Sequence, residues 1–320
     1  MKSMKSNECR ENGVKLRATE FFEAWFTWAL CIPQPCCFIH YVMASFNLTP
    51  SDTSTFILSG KEHTLLQPMY LLLCMLALTD IGMSTCIVPK ALGIFWFNLK
   101  VITVSGCLTQ ITFLSASFAT QSAILVVMGF DRYVAICNPL RYTTILTNTR
   151  VATLGLVSLM RGIIYVLPMP LMLSQLPFCG NRIIPHISCQ TIPVAKILCG
   201  DLTFYRLYGL VMTLTLVGSD LMLIALSYSL IIRAVLRISS QKAHQKALNT
   251  CTAHIGVMMT SYTPYLFAIM TNRFGESIAP HVQIFLANVC VLVPTMLNPI
   301  VYGIKTKELR DKMRKNICRL

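Results

Sequence analysis

Long apolar stretches recur along this chain and constrain it more than any other feature. They fall at residues 21–46, 65–88, 101–130, 151–173, 203–232, 246–271 and 282–304, separated by short polar segments. A helix needs about 20 apolar residues to cross a bilayer. Inside lipid every backbone N–H and C=O must be satisfied within the protein, so only helices and closed barrels span. No two-residue alternation of a barrel strand is visible. The expected fold is therefore an all-α membrane protein, a seven-transmembrane-helix bundle. Composition agrees: 54% of residues are hydrophobic and 12% charged, where soluble domains carry about 25% charged residues.

The formal net charge is +14. In a soluble protein that excess would suggest nucleic acid as a partner. Here the basic residues cluster in particular loops, so they report orientation and no nucleic acid is expected. Arg132, Arg141 and Arg150 lie in one loop, and Arg233, Arg237, Lys242 and Lys246 in another. Segment 305–320 adds Lys305, Lys307, Arg310, Lys312, Arg314, Lys315 and Arg319. These are the expected cytoplasmic faces, which leaves 89–100, 174–202 and 272–281 outside. Within the tail, Ile304, Leu309, Met313 and Ile317 recur at helical spacing among cations, the pattern of a short amphipathic helix on the inner leaflet.

The amino-terminal part differs. Residues 1–20 form a polar segment with no signal-peptide pattern. Stretch 21–46 is an atypical first span, since it holds Glu23, Pro33, Pro35 and His40. Prolines remove helix hydrogen bonds that neighbours must then replace. Asn47-Leu48-Thr49 is a glycosylation triplet, a pattern that also arises by chance.

Several polar groups within this apolar frame could carry chemistry. Asp131 and Arg132 stand side by side at the end of the third stretch, followed by Tyr133. A carboxylate there can hold the guanidinium by a charge-assisted bond that a cytoplasmic partner competes for. The plainer alternative is a helix end with interfacial charges. Asp80, Arg161 and Asp220 lie inside apolar stretches, where ionisable groups are costly and are usually paired or functional. As a relay they would suit a transporter, but no inverted repeat or paired broken helices are evident. Asn298-Pro299 precedes Tyr302, and the proline lets that turn bend. Cys107 opens the third stretch, and Cys179, Cys189 and Cys199 lie in the long outer loop. A bridge from the helix top would pin that loop, although sequence alone leaves the pairing open. The chain has 14 cysteines but no CxxC pair, no His-Glu-x-x-His and no nucleophile–base set. Enzyme and metal chemistry are not expected.

The run Met128-Gly129-Phe130-Asp131-Arg132-Tyr133-Val134-Ala135-Ile136-Cys137-Asn138-Pro139-Leu140-Arg141-Tyr142 resembles the third-helix signature of the olfactory receptors, a branch of the rhodopsin-like G-protein-coupled receptors. Pro68-Met69-Tyr70, Ser227-Tyr228, the run from Lys246 to His254 and Pro294-Thr295-Met296-Leu297-Asn298-Pro299 resemble further motifs of that family, in order. Leu176-Pro177-Phe178-Cys179 and Ile184-Pro185-His186 resemble its class I, fish-like branch.

The resemblance implies a multi-pass plasma-membrane receptor. It would bind a small volatile odorant in the bundle and activate a heterotrimeric G protein of the olfactory stimulatory type. It implies coupling and activation roles for Asp131, Arg132, Tyr133, Asp80, Asn298, Pro299 and Tyr302. It pairs Cys107 with Cys189 and Cys179 with Cys199. It places the ligand among Leu114, Ser115, Phe118, Tyr262, Leu266 and Ile269, with Phe113, Ala119, Leu214 and Met270 on the same surfaces. Such soft apolar walls hold a small molecule by dispersion and burial. Short carboxylic acids are one implied ligand class, with Arg273 as the counter-charge; a solvated loop arginine is the plainer reading. Ser115 stands where branch members commonly carry His, and Gln121 where they usually carry Glu. The family's first span, with its Gly-Asn pair, has no counterpart here. That departure raises the alternative of a non-functional, receptor-derived membrane protein.

Overall fold

The computed structural model describes residues 13–16, 68–99, 101–177, 183–184, 188–195, 197–237, 240–274 and 282. The first stretch at 21–46, Asn47, the hinge Asn298, Pro299 and Tyr302, nearly all of the seventh stretch and the 305–320 tail lie outside them.

The described chain is a bundle of long helices. In order it runs β1 (Gly13–Leu16), α1 (Pro68–Phe97), β2 (Val101–Thr103), α2 (Val104–Cys137), α3 (Tyr142–Ile145), α4 (Asn148–Val166), α5 (Pro168–Ser174), β3 (Ile183–Ile184), α6 (Thr191–Ala195), α7 (Thr203–Val235) and α8 (Gln241–Phe274). Among the described residues three rods are long and apolar enough to cross a membrane: α2, α4 continued by α5, and α7.

Each rod has local causes. Thr103 caps α2 by accepting a hydrogen bond from the Gly106 amide at 3.1 Å, which satisfies one orphan donor of the first turn. Asn138-Pro139 ends it, because the residue before a proline is pushed out of the helical region. Thr147 caps α4 in the same way. The 151–173 stretch breaks between Val166 and Pro168 because Pro168 has no N–H to give. Leu167 nonetheless keeps helical angles, φ −54° and ψ −38°, so the two pieces make one continuous rod.

The helices start and stop at other residues than the apolar stretches and run past their charged ends. α2 begins at Val104 rather than 101 and ends at Cys137 rather than 130. α1 runs on to Phe97, and α8 starts at Gln241. A hydrophobicity limit stops at the first charge, whereas backbone hydrogen bonding continues through the headgroup layer. At about 1.5 Å per residue, the 34 residues of α2 exceed the ~30 Å hydrocarbon thickness. Asp131 and Arg132 therefore sit within a helix, near its inner end.

α2 is the hub on which α1, α4 and α7 pack. Its middle joins Leu72, Leu76, Ile124, Leu125, Met128, Val217, Ile224, Val257 and Tyr262 in one core. Close approach to α4 depends on Gly162. A Cβ there would lie 2.8 Å from the Thr120 hydroxyl and 3.0 Å from the Ala116 carbonyl oxygen. The opposite faces of α4 and α7 expose Leu156, Ile164, Met222 and Leu226, apolar side chains that lipid can solvate.

The helical expectation omitted a small sheet at the outer end, ordered β2-β1-β3. β1 runs antiparallel to β2, with Val14 opposite Ile102, and parallel to β3, with Leu16 opposite Ile184. Outside the hydrocarbon the backbone need not be helical, so loop segments can satisfy one another as strands. Between α1 and β2 the chain turns at Asn98, φ 53°, a left-handed angle that Asn tolerates. Lys90 fixes this turn by donating to the carbonyls of Leu99 and Val101, each at 2.7 Å.

Candidate functional site

The polar residues of α2 organise three stations along the bundle. At the outer end, Cys107 is bonded to Cys189. Gln110 lies three residues further along, on the same helix face. It donates to the Cys86 carbonyl at 2.7 Å and accepts from the Cys189 amide at 2.9 Å. This side chain ties α1, α2 and the outer loop together beneath the disulfide. Cys199 is also disulfide-bonded, and Cys179 lies outside the described residues. Ile94, Ile111, Leu173, Ile184 and Tyr205 pack around the Cys107–Cys189 bridge.

At mid-depth α2 faces α8. The Phe118 and Tyr265 rings stack with centroids 4.0 Å apart. One turn deeper, the Ser122 and Tyr262 hydroxyls lie 2.6 Å apart. Ser122 also donates to Asp220 at 2.6 Å, and Arg161 donates to the other Asp220 oxygen at 2.8 Å. A continuous polar path thus joins α8, α2, α7 and α4. Asp220 is 2% exposed, so its charge is compensated by Arg161 and the Ser122 hydroxyl. Asp80 lies on the other side of α2 and accepts from Gln121 at 2.8 Å.

The expected ligand residues divide on this frame. Phe118, Tyr262 and Leu266 come together at the α2–α8 contact, Leu266 against the central core. Leu114 and Ser115 are half-buried one turn outward, and Ala119 is buried. Phe113, Leu214 and Met270 instead point away from the interior; Phe113 is 58% and Leu214 63% exposed. Their helix phase puts them on the outer surface, which an apolar side chain alone does not reveal. The side chains of Ile269 and Arg273 lie outside the description.

At the inner end Asp131 is 1% exposed and pairs with Arg132 at 2.9 Å. Tyr142, on α3, donates to the second Asp131 oxygen at 2.7 Å. Burial, and then the neighbouring carboxylate, push the Tyr142 hydroxyl well above its ordinary range, so it stays a donor. Tyr133 is half-buried against the core. Tyr228 on α7 and His254 Nδ1 on α8 meet at 2.7 Å. Sequence reasoning singled out the motifs holding Tyr228 and His254 but assigned them no contact. It also missed Gln110 and Ser122, and it gave no role to Tyr142, which closes the third-helix run. Gln110 could have been found as a polar residue one turn from Cys107, and Ser122 as a small polar residue on a buried face. The contact made by Tyr142 left no signal beyond that motif, because a tyrosine in a basic loop is ordinary. Among the described residues no group of three His, Cys, Asp or Glu side chains could hold a metal.

The olfactory receptor family model matches residues 37–319. Human olfactory receptor 52P1 is 46% identical over 257 residues, 80% of each chain. Human olfactory receptor 52D1 is 44% identical over 265 residues, covering 82% of this chain and 83% of that one. Human olfactory receptor 51G2 is 40% identical over 288 residues, 90% of each.

Proposed function

The chain belongs to the olfactory receptor family, and on that premise we propose that it senses a small volatile ligand at the α2–α8 face and passes the change to Arg132. It is a multi-pass plasma-membrane receptor for odorants that couples to a heterotrimeric G protein, not an enzyme. The more specific statements are our reading. The bundle has seven spans, with 21–46 as an atypical first one and 305–320 as an amphipathic tail. The ligand sits among Leu114, Ser115, Phe118, Tyr262, Leu266 and Ile269. Arg273 offers a guanidinium to a short carboxylic acid. The G protein is of the olfactory stimulatory type, and Asn298, Pro299 and Tyr302 supply a hinge beside Asp80.

The observation that carries this reading is the sharing of one helix. Phe118 and Ser122, which meet α8, and the Asp131–Arg132 pair all lie on α2. A guest that moves Tyr262 or Tyr265 loads the Ser122–Asp220–Arg161 path and repositions α8 against α2. At the inner end Arg132 is held by a carboxylate that Tyr142 also holds. A partner that offers Arg132 a better acceptor competes with Asp131 and favours the open arrangement. No observation favours transport or an inert derivative. Arg161 and Asp220 pair with each other, and Asp80 engages Gln121 on another face.

The test is a cAMP reporter assay with an odorant panel, run beside Arg132→Ala at matched surface amounts. A ligand-dependent rise that the substitution abolishes is expected. A rise unaffected by the substitution would overturn the role given to Arg132.

A further inference from the structure

We propose that the cleft between the outer ends of α1 and α2 binds a small aliphatic carboxylate, with Lys90 as its counter-charge and Ile102 and Phe113 along its apolar chain. The inference rests on the receptor reading for the outward position of this end, and it adds a site apart from the α2–α8 face.

The first observation is the cavity itself. Cys86 and Lys90 from α1, Ile102 from β2, and Thr109, Gln110 and Phe113 from α2 line a space of about 460 Å³. Ligand cavities run from about 300 to 1,000 Å³. Helix phase sets this one apart from the expected ligand face. At about 3.6 residues per turn, Phe113 lies about 140° round α2 from Phe118, the residue that stacks on Tyr265. The exposed Phe113 ring, which takes no part in the bundle core, is a wall of this cavity.

The second observation is the charge of Lys90. An ammonium group has three donors. Two go to the carbonyls of Leu99 and Val101, each at 2.7 Å. Among the described residues nothing accepts from the third, and the carboxylates that form ion pairs are taken: Asp131 holds Arg132 and Asp220 holds Arg161. Carbonyl oxygens orient the half-buried ammonium but do not neutralise it, so the cavity favours an anion.

The third observation is the rest of the wall, which sets the ligand class. The Thr109 hydroxyl makes no hydrogen bond among the described residues. With the remaining Lys90 donor it offers two donors for the two oxygens of a carboxylate. Ile102, Phe113 and the Cys86 thiol supply soft apolar surface for a short chain. One cation and one hydroxyl leave a phosphate dianion short of donors. Gln110, in the same wall, donates to the Cys86 carbonyl and accepts from the Cys189 amide. A guest here therefore bears on the clasp that joins α1, α2 and the outer loop.

The experiment uses the full chain in isolated cell membranes and follows maleimide labelling of Cys86, identified as the signal lost in Cys86→Ser. Hexanoate should block the labelling, and hexan-1-ol and inorganic phosphate should not. Lys90→Met should abolish the protection and Lys90→Arg retain it. Thr109→Val, which leaves the Lys90 turn untouched, should raise the half-protecting hexanoate concentration about tenfold. Arg273→Ala should leave it unchanged. Labelling indifferent to hexanoate, or blocked equally by hexan-1-ol, would overturn the site. A half-protecting concentration unchanged by Thr109→Val would do the same. So would protection that survives Lys90→Met; its loss with Arg273→Ala would put the acid on the α2–α8 face instead. Cys86 that stays unlabelled without any acid would mean that the cavity is already filled, and would also overturn the site. Labelling needs no G protein, so hexanoate protection without any cAMP response to the odorant panel would overturn the receptor reading and leave this site standing.

Discussion

The Arg161 guanidinium reaches across from α4 to the Asp220 carboxylate on α7 at 2.8 Å, inside the membrane-spanning part of the bundle. Removing one partner strands the other charge away from water. Arg161→Met is expected to cost about 3–5 kcal/mol, whereas Arg161→Met with Asp220→Leu should recover most of that loss. Thermal unfolding in detergent, followed by size-exclusion chromatography, checks both. Equal loss in the single and double variants would mean that the pair acts through packing and not charge.

Tyr142→Phe removes one hydrogen bond from Asp131 and leaves the ring in place. A hydrogen bond to a charged group contributes about 1.5–3 kcal/mol, roughly tenfold or more in an equilibrium. Loosening Asp131 should raise basal cAMP without ligand. The measurement is reporter output per receptor at the surface, and unchanged basal output would show that Arg132 is not restrained through this tyrosine.

Tyr262→Phe keeps the α8 packing but breaks the contact with Ser122. A typical net hydrogen bond is worth about 0.5–1.5 kcal/mol, so the odorant EC50 should rise about two- to tenfold with little change in receptor amount. A dose–response curve checks this, and an EC50 equal to that of the unsubstituted receptor would remove the Ser122–Tyr262 contact from the ligand path.

Gly162→Val places side-chain atoms where the Thr120 hydroxyl and Ala116 carbonyl already sit. Overpacking of this kind costs about 1–3 kcal/mol. The expected outcome is a lower melting temperature and less mature receptor. Gly218→Ala, where nothing lies within 4 Å of an added Cβ, is the control that should leave both unchanged.

Cys189→Ser opens the bridge across a sequence separation of 82. Losing such a link typically costs about 2–5 kcal/mol. Surface staining should fall sharply, and Gln110→Ala should reproduce a smaller part of the loss. Staining equal to that of the unsubstituted chain would show that packing alone holds the outer loop.

Much of this was legible in the sequence because lipid imposes a simple grammar. Apolar length marks the rods at α2, α4–α5 and α7, and the loop cations mark their inner ends. The Asp131–Arg132 pairing followed from adjacency, and Asp80 and Asp220 were marked by their cost in an apolar setting. Their partners were less legible, because helix phase and tilt decide which faces meet. Gln121 and Ser122 are neighbours in sequence yet serve opposite sides of α2, one toward Asp80 and one toward Asp220. Phe113 and Leu214 look like pocket residues by composition and face outward by phase. The β1–β2–β3 pairing was hidden because strands of two to four residues leave no usable periodicity.

The Cys107–Cys189 bridge, reinforced by the Gln110 clasp, gives the molecule a gradient of stiffness. Among the described residues, the rim facing the environment is riveted by a covalent bond and strand pairing, whereas the rim facing the cell is held by side-chain contacts such as Tyr142 with Asp131 and Tyr228 with His254. Strain introduced anywhere between them will be released where the fastenings are weakest, so a compact guest near one surface is felt mainly as splaying at the other.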